Sequence, residues 1–285
     1  MSETLCANPG SLGKTCNLCG GGAFRLVHEW PVGNRWNQAT IPIAVWECKN
    51  CELVILHPVP VASELPDSGD WFGSNRKQFR RRAWLKKPIE RLKKMLGLDA
   101  VNRLVWATLR AKRSGRLLDV GAGIGPLLRV AKKYYDCVGL EPSPIATEKL
   151  RADGFEVIEA MFEDADIESA SFDVVTLDSV IEHVLSPSEI LAKINRILRP
   201  GGVVMLKTPK FGGPAYRRHG ADWNGFRHGY HTFLYSGKTL SALLEKAGFE
   251  VFQNPKRDRM LDDILILWGR KVREVSEEDI KRRAA

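Results

Sequence analysis

Leu117-Leu118-Asp119-Val120-Gly121-Ala122-Gly123-Ile124-Gly125 is a largely apolar run that ends in three glycines at alternate positions. The apolar part predicts a buried strand, and the glycines predict a tight turn that opens a helix. Glycine has no Cβ, so a ligand can approach its backbone closely, and the first N–H groups of a helix lack partners. We therefore expect residues 121–125 to form a ligand-binding turn.

An acidic residue follows the next apolar segment of the chain. Residues 137–140 (CVGL) predict a second buried strand, and Glu141 comes directly after it. A carboxylate has two oxygens and can accept hydrogen bonds from both hydroxyls of a ribose. Together, the glycine turn and this acid indicate a cofactor that contains a nucleoside.

Predicted strands and helices alternate from Arg116 onward. The predicted strands cover residues 116–120, 136–141, 155–158, 172–177 and 202–207, followed by 249–252 and 264–268. The predicted helices cover residues 125–134, 144–153, 187–198 and 237–247. This alternation is typical of an α/β domain with a parallel sheet that helices cover on both faces. Ligands on such sheets bind at the carboxyl ends of the strands, where the glycine turn and Glu141 both belong.

The spacing of the glycines separates two classes of cofactor. A dinucleotide fold requires the pattern G-x-G-x-x-G, with the pyrophosphate at the start of the helix. Here the third glycine comes one position early and residue 126 is proline. Asp119 would repel a pyrophosphate but could favour an ammonium group. A sulfonium nucleoside, which carries an ammonium group and no phosphate, therefore fits better than a nicotinamide dinucleotide.

The chain resembles the class I S-adenosylmethionine-dependent methyltransferases over roughly residues 100–270. The motifs that carry the resemblance are 118–125 (LDVGAGIG), 139–143 (GLEPS), 171–175 (SFDVV), 181–184 (IEHV), 198–202 (LRPGG) and 231–236 (HTFLYS). The resemblance implies a Rossmann-like, seven-stranded sheet with helices on both faces. It also implies an enzyme that transfers a methyl group from S-adenosylmethionine.

The resemblance further implies which residues bind the cofactor. The expected contacts are Glu141 at the ribose, Asp119, Gly121, Ala122 and Gly123 at the methionine moiety, Phe162 and Glu163 at the adenine, and Asp178 and Ser179 near the transferred methyl group. Pro142 is also expected to contact the cofactor. Met161 stands where the family often has an acid, so the adenine amino group is expected to depend on Glu163 or on backbone. The alternatives are a structural cap for Asp119 and a helix-start acid for Glu141.

Methyl transfer to a hydroxyl or to an acidic carbon also requires a base, and histidine is the usual base near neutral pH. His231 is the first prediction, from the resemblance and from its position after a segment at 211–230 that is rich in glycine, aromatic and basic residues. Such a segment suits a substrate loop. His183, which follows the fourth strand, is the second prediction. The alternative for each histidine is a purely orienting hydrogen bond.

Four of the six cysteines form two C-x-x-C pairs, Cys16 with Cys19 and Cys48 with Cys51. About 28 residues separate the pairs, and strand-like runs at 23–27 and 41–46 predict a hairpin between two metal knuckles. The pairs predict a closed structural Zn²⁺ site that takes no part in chemistry, with thiol redox and unliganded cysteines as alternatives. The module also resembles one found on bacterial methyltransferases that act on sugars and secondary metabolites, which implies a small zinc-ribbon-like module.

The net charge of +9 is unevenly distributed along the chain. Residues 76–116 contain fifteen Lys and Arg but only two acids. Apolar residues at helical spacing in this block suit a lid, a peripheral membrane contact or a packed helix. We predict three parts: a zinc-binding module at 1–60, a linker and basic amphipathic segment at 61–99, and the S-adenosylmethionine-binding domain at 100–285.

Composition narrows the class of protein. With 44% hydrophobic and 27% charged residues, no long apolar run and no signal-peptide pattern, the sequence predicts a cytoplasmic enzyme. The leading hypothesis is methyl transfer to a small molecule, either a sugar, a glycolipid or a secondary metabolite, and the substrate could be lipid-linked or nucleotide-linked. The alternatives are an RNA methyltransferase that binds RNA through the zinc module and basic segment, and a non-catalytic S-adenosylmethionine-binding scaffold. The sequence leaves the acceptor atom and the oligomeric state open.

Overall fold

The computed structural model describes residues 15–31, 42–58, 99–226, 231–252 and 263–275. The predicted linker and almost all of the basic segment, together with residues 227–230 of the predicted substrate loop, lie outside the described residues. The predictions for those segments therefore stay predictions. Within the described ranges, none of the helices combines the length and the apolar character needed to cross a bilayer.

In the described part of the chain three strands come first, and strands and helices then largely alternate from residue 100 onward. The strands are β1 (Phe24–Trp30), β2 (Ile43–Cys48), β3 (Val54–His57), β4 (Arg116–Val120), β5 (Asp136–Leu140), β6 (Glu156–Ile158), β7 (Phe172–Asp178), β8 (Leu198–Pro209), β9 (Phe233–Leu234), β10 (Phe249–Phe252) and β11 (Ile264–Lys271). The helices are α1 (Ala100–Ala111), α2 (Leu128–Ala131), α3 (Pro144–Ala152), α4 (Pro187–Ile197), α5 (Pro214–His219) and α6 (Gly237–Lys246).

Seven strands form the larger sheet, in the order β10-β11-β8-β7-β4-β5-β6. Strand β4 pairs in parallel with both β5 and β7, and β5 pairs in parallel with β6, whereas β10 and β11 are antiparallel. The predicted α/β architecture with a mostly parallel, seven-stranded sheet is therefore confirmed. Strands β4 and β7 are buried at every position except one end residue of each, Arg116 and Asp178, as expected for central strands of such a sheet.

The largest difference from the sequence prediction concerns the helix after the glycine turn. We predicted a helix at 125–134, but α2 covers only Leu128–Ala131. Gly125 has a φ of +77°, outside the helical region, so regular helical bonding begins only after it. A Cβ at Gly125 would also lie 2.5 Å from a methyl group of Leu150, so the side chain of Leu150 would have to move to accommodate it.

Two compact units divide the chain. One contains residues 63–178 and 197–205, and holds β4 to β7 with the glycine turn. The other contains residues 1–62, 179–196 and 206–285, and includes both cysteine pairs and both candidate histidines.

The smaller sheet belongs to the second of these units and has the order β1-β2-β3-β9. Strands β1 and β2 form the antiparallel hairpin predicted between the two cysteine pairs. Strand β9 adds to the edge of β3, with Val54 opposite Leu234 and Ile55 opposite Phe233. The sequence did not predict this addition, which brings the segment after His231 against the cysteine-containing module.

Candidate functional site

The glycine turn closes against the end of β5. Gly121 and Gly123 have φ values of +66° and +53°, a region that favours glycine. The N–H groups of Gly121 and Ala122 both donate to the carbonyl oxygen of Leu140, at 2.8 and 3.1 Å. The turn is therefore held at the carboxyl ends of two neighbouring parallel strands, where ligands bind on sheets of this type.

The carboxylate of Glu141 lies at the same corner. Its Oε2 accepts a hydrogen bond of 2.9 Å from the backbone N–H of Gly123, and its Oε1 accepts one of 3.0 Å from that of Ser143. The side chain is buried, so these two bonds fix its orientation. Each carboxylate oxygen retains acceptor capacity, because an ionised carboxylate offers about four lone-pair sites.

Asp119 is buried at the end of β4, opposite Thr176 of β7. The hydroxyl of Thr176 donates to Oδ1 of Asp119 at 2.6 Å. Burial raises the pKa of Asp119 from its ordinary value of 3.8 to about 7, and the negative charges of Asp178 and Glu141 act in the same direction. The hydrogen bond from Thr176 opposes this shift. Asp119 is thus an acid that a nearby cation would ionise fully.

The other residues predicted to contact the cofactor differ in exposure. Phe162 is buried, whereas Met161 is 52% exposed and Glu163 is also exposed. Pro142 is exposed beside the buried Glu141. The contacts of Phe162, Glu163 and Pro142 with the cofactor stay predictions.

Ser179 follows β7 with a φ of +61°, in the left-handed region that residues other than glycine rarely adopt. Its backbone N–H donates to the carbonyl oxygen of Lys207 at 2.8 Å, a bond that holds this turn. Strained backbone of this kind is concentrated at functional sites. The positions of Ser179 and Asp178 near the transferred methyl group stay predictions.

The two predicted histidines lie together in their own unit. The ring centroids of His183 and His231 are 4.8 Å apart, at an interplanar angle of 74°. Nδ1 of the buried His231 lies 2.7 Å from the carbonyl oxygen of Gly225. Because a carbonyl only accepts, this contact places the proton of the neutral ring on Nδ1 and leaves Nε2 as its basic atom.

A buried carboxylate accompanies this pair. A carboxylate oxygen of Glu182 and one ring nitrogen each of His183 and His231 all lie within 4.8 Å of one another. Thr232 holds the two segments together, since its hydroxyl lies within hydrogen-bond distance of the carbonyl oxygens of Glu182 (2.9 Å) and Val184 (2.7 Å). Its N–H also donates to the Glu182 carbonyl at 2.7 Å. The structure therefore assembles a compact acid–base cluster.

The segment predicted as a substrate loop is more ordered than expected over residues 211–226. It contains helix α5 and two short 3-10 turns, at Gly220–Asp222 and Asn224–Phe226. Trp223 and Phe226 are buried in a cluster with residues of the smaller sheet, including Trp30 and Leu56. These two aromatic side chains are therefore packing residues, whereas Arg217 and Arg218 are exposed.

Comparison with known families shows which fold class this arrangement represents. A family model described as a methyltransferase domain matches residues 84–254, more than half of the chain. The chain belongs to this family. It carries an S-adenosylmethionine-dependent methyltransferase domain, and its glycine turn and Glu141 fall inside the matched region.

Relatives of this methyltransferase include two enzymes named ubiquinone biosynthesis O-methyltransferase. The one from Methylococcus capsulatus is 36% identical over 125 residues, which covers 39% of this chain and 52% of that protein. The one from Nitrosococcus oceani is 30% identical over 170 residues, or 52% of this chain and 70% of that protein. The chain thus spans about half the length of the first relative.

Solved structures agree on the fold. A chain from the complex of the Trm112 methyltransferase activator with a methyltransferase of Haloferax volcanii gives a TM-score of 0.51 at 18% identity, and covers 67% of this chain and 97% of that one. A methyltransferase of Bacillus halodurans gives 0.50 at 15% identity, and covers 60% and 98%. At these identities the likeness concerns the fold alone.

The methyltransferase brings its four paired cysteines together. The Sγ atoms of Cys16, Cys19, Cys48 and Cys51 lie within 4.8 Å of one another. Cys16 lies 3.4 Å from Cys51, and Cys19 lies 3.5 Å from Cys48, so the sulfurs are too far apart for disulfides. The hydrogen bond with Cys51 lowers the pKa of Cys16 to about 5 and raises that of Cys51.

The two C-x-x-C turns share one backbone geometry. In each, the first cysteine accepts a bond from the N–H four residues later and donates to the carbonyl five residues later, at 2.8 and 2.9 Å for Cys16 and at 2.9 Å twice for Cys48. The fourth residue after each has a positive φ, +74° at Gly20 and +68° at Glu52. This repetition presents four sulfurs as a metal site would require.

Sequence reasoning missed three residues of these sites. Thr176, the partner of Asp119, occupies the facing register position on β7, which only the strand pairing reveals. Thr232 lies in a motif that we identified, but its role depends on contacts some fifty residues away along the chain. Asn17, whose side chain contacts the Ser186 hydroxyl and the Ser188 N–H, lies between two cysteines and carried no signal of its own.

Proposed function

We propose that this methyltransferase transfers the methyl group of S-adenosylmethionine to a hydroxyl of a small molecule. The observation that carries the proposal is the corner formed by Glu141 and the glycine turn, in which the acid accepts the N–H of Gly123 at 2.9 Å. The corner combines a fixed carboxylate with a backbone that a ligand can approach.

The chemistry of the donor set suits S-adenosylmethionine. Glu141 keeps one acceptor position on each oxygen for the two ribose hydroxyls, since Gly123 and Ser143 occupy the others. Asp119, with a pKa of about 7, would become fully ionised beside the ammonium group of the methionine moiety. Pro142, Phe162, Glu163, Asp178 and Ser179 complete the proposed contacts.

S-adenosylmethionine supplies a methyl carbon already activated by its sulfonium. The acceptor oxygen loses its proton to the base and forms a bond to that carbon, while the carbon–sulfur electron pair stays on sulfur. We assign the base to Nε2 of His231, because Gly225 fixes the proton on Nδ1. His183, whose ring is 4.8 Å away, is the second candidate for this role.

The four cysteines of the N-terminal module are proposed to hold one structural Zn²⁺. The repeated knuckle geometry and the clustering of the four sulfurs support this assignment. Four thiolates fill a tetrahedral site, so this metal would stabilise the module and leave the chemistry to other residues. The three-part division at 1–60, 61–99 and 100–285 is retained as part of the proposal.

The hydroxyl acceptor is supported by the relatives, which are named as O-methyltransferases of ubiquinone biosynthesis. We propose a sugar, a glycolipid or another secondary metabolite as the substrate class of this chain. RNA is the competing substrate, and an acceptor screen distinguishes the two.

The test is transfer of an isotope-labelled methyl group from S-adenosylmethionine. The purified full chain is incubated with nucleotide-linked sugars, phenolic and polyprenylated hydroxyl compounds, and total RNA. The proposal expects label in a small-molecule fraction, with one S-adenosylhomocysteine released per methyl group transferred. Label in RNA alone would contradict the substrate class, and failure to bind S-adenosylmethionine would contradict the proposed cofactor site.

A further inference from the structure

The first cysteine knuckle makes a contact that its metal site does not need. Asn17 lies between Cys16 and Cys19, and its Nδ2 donates to the hydroxyl oxygen of Ser186 at 3.2 Å. Its Oδ1 accepts a hydrogen bond of 2.9 Å from the backbone N–H of Ser188. One side chain of the knuckle therefore binds the start of helix α4 by both of its polar atoms.

This contact replaces the usual cap of a helix. The N–H groups in the first turn of a helix have no intrahelical partner, and a side chain at the preceding residue normally accepts one of them. Here α4 begins at Pro187, and the acceptor for Ser188 comes from Asn17, about 170 residues earlier in the chain. Ser188 is buried, so loss of the acceptor would leave a buried N–H without its partner.

The segment that precedes α4 carries the candidate acid–base cluster. Residues Glu182 and His183 lie only a few positions before Ser186. At its other end the segment is held by Thr232, through the Glu182 carbonyl, and by the hydroxyl of Tyr235, which donates to the Ile181 carbonyl at 3.0 Å. His183 therefore lies between two anchors, of which Asn17 provides the second.

We propose that Asn17 is a positioning residue through which the four-cysteine knuckle fixes the orientation of His183 against His231. The role rests on the proposed function, because it assumes that these histidines serve methyl transfer. Zn²⁺ bound by the four thiolates would hold the knuckle, and hence Asn17, in the conformation that caps α4. The module is then a part of the catalytic framework as well as a stabilising element.

Two further contacts connect the module with helix α6 and with the segment that contains His231. Nζ of Lys246, at the end of α6, donates to the Leu18 carbonyl of the knuckle at 2.6 Å. The N–H of Leu56 on β3 donates to the carbonyl of Thr232 at 2.9 Å, next to His231. The module thus contacts both histidine-bearing segments, and Asn17 is its side-chain link to the one that contains His183.

The experiment compares the zinc-loaded full chain with three variants. Asn17→Ala removes both contacts, whereas Asn17→Asp keeps an acceptor for the Ser188 N–H and can accept from the Ser186 hydroxyl. Lys49→Ala is the matched control, since Lys49 is exposed and occupies the same position in the second knuckle. Zinc content and Tm of each variant are measured first, so that the comparison uses folded, loaded protein.

Hydrogen exchange by mass spectrometry then follows the peptide that spans residues 181–190. Asn17→Ala is expected to speed exchange there about fivefold, the effect of losing a typical helix cap, and removal of zinc with a chelator is expected to do the same. Asn17→Asp and Lys49→Ala are expected to match the wild-type protein. Unchanged exchange in Asn17→Ala would overturn the proposal.

A second readout separates positioning from simple stabilisation. The ring signals of His183 and His231 are followed by NMR through a pH titration, with His183→Gln and His231→Gln used for assignment. The titration midpoints are expected to move in Asn17→Ala and to return in Asn17→Asp. Midpoints that stay at wild-type values while exchange rises, or that move equally in Lys49→Ala, would overturn the positioning role. Neither readout needs a methyl acceptor, so each stands apart from a failed acceptor screen.

Discussion

Glu141 and Gly123 are joined by a hydrogen bond of 2.9 Å, from the backbone N–H of the glycine to Oε2 of the acid. The sequence indicated the two residues separately, as the acid after one strand and the middle glycine after another. This bond fixes the acid against the turn, and a second bond, from the N–H of Ser143, fixes the other carboxylate oxygen. The acid that we propose to bind the ribose and the turn that we propose to receive the methionine moiety are thus prearranged.

The pKa of Asp119 predicts that cofactor binding depends on pH. With a pKa of about 7, this carboxyl is largely protonated at pH 6 and ionised at pH 8. An ammonium group gains more from the ionised form, so affinity for S-adenosylmethionine is expected to rise between pH 6 and pH 8. Calorimetric titration across this range measures the effect. Asp119→Asn should abolish the dependence, and the exposed Asp166→Asn should leave it intact.

The same group predicts how stability varies with pH. Its pKa is higher in the folded chain than in the unfolded chain, so the folded state holds a proton that the unfolded state has released. The contribution of Asp119 to the free energy of unfolding is therefore fully present below about pH 4 and is lost as the pH rises through about 7. At pH 8, Asp119→Asn is expected to raise the free energy of unfolding by up to about 4 kcal/mol. Urea denaturation at pH 5 and 8 tests this, and equal stability of variant and wild type at pH 8 would contradict it.

The assignment of the base predicts a specific kinetic defect. His231→Ala should lower kcat at least about a hundredfold, the usual contribution of a general base, and leave the affinity for S-adenosylmethionine unchanged. His219→Ala is the control, because His219 is exposed at the end of α5. Steady-state kinetics with the identified acceptor give both quantities. Unchanged turnover in His231→Ala would exclude this histidine as the base.

The four-cysteine site predicts a structural metal. The purified protein should contain about one Zn²⁺ per chain, and Cys16→Ser should lose the metal and lower Tm. Cys137→Ser, at a buried cysteine outside the cluster, should keep the metal. Elemental analysis and thermal unfolding measure the two effects. Full zinc content in Cys16→Ser would show that the metal is held elsewhere.

The hydrogen bonds of the Thr232 hydroxyl are expected to stabilise the fold, and this effect can be separated from that of the side chain's volume. Thr232→Val keeps the volume but removes the hydroxyl that reaches the carbonyls of Glu182 and Val184. Because these groups are buried, we expect a loss of about 1–3 kcal/mol in the free energy of unfolding. Thr232→Ser retains the hydroxyl and should lose less. Denaturant titration of both variants tests this, and equal losses would assign the effect to packing.

Local patterns were enough to predict most of the larger sheet. The run from Arg116 to Val120 and the segment at 249–252 were predicted with the bounds that the structure shows, because apolar runs bounded by glycine identify buried strands. The helix at 125–134 was wrong in length, since the positive φ values of Gly121, Gly123 and Gly125 delay the start of regular helical hydrogen bonding. In that case backbone conformation outweighed the apolar pattern.

The contacts that complete the sites lie beyond the reach of local patterns. The bond between Thr176 and Asp119 depends on which strands are neighbours, and β9 joins the smaller sheet from the far side of the chain. The aromatic residues Trp223 and Phe226 suggested a loop that faces a ligand. In the structure they are buried in the hydrophobic core against the cysteine-containing module. Apolar side chains look alike in sequence whether they cover a ligand or a sheet.

The most direct test of the account is calorimetric titration of S-adenosylmethionine into the full chain and into Glu141→Ala. Glu148→Ala is the matched control, because Glu148 is exposed on α3. We expect saturable binding to the wild type and to the control, no binding of NADH, and a loss of at least tenfold in affinity for Glu141→Ala. Equal affinity in Glu141→Ala and the wild type would contradict the assignment of this corner as the cofactor site.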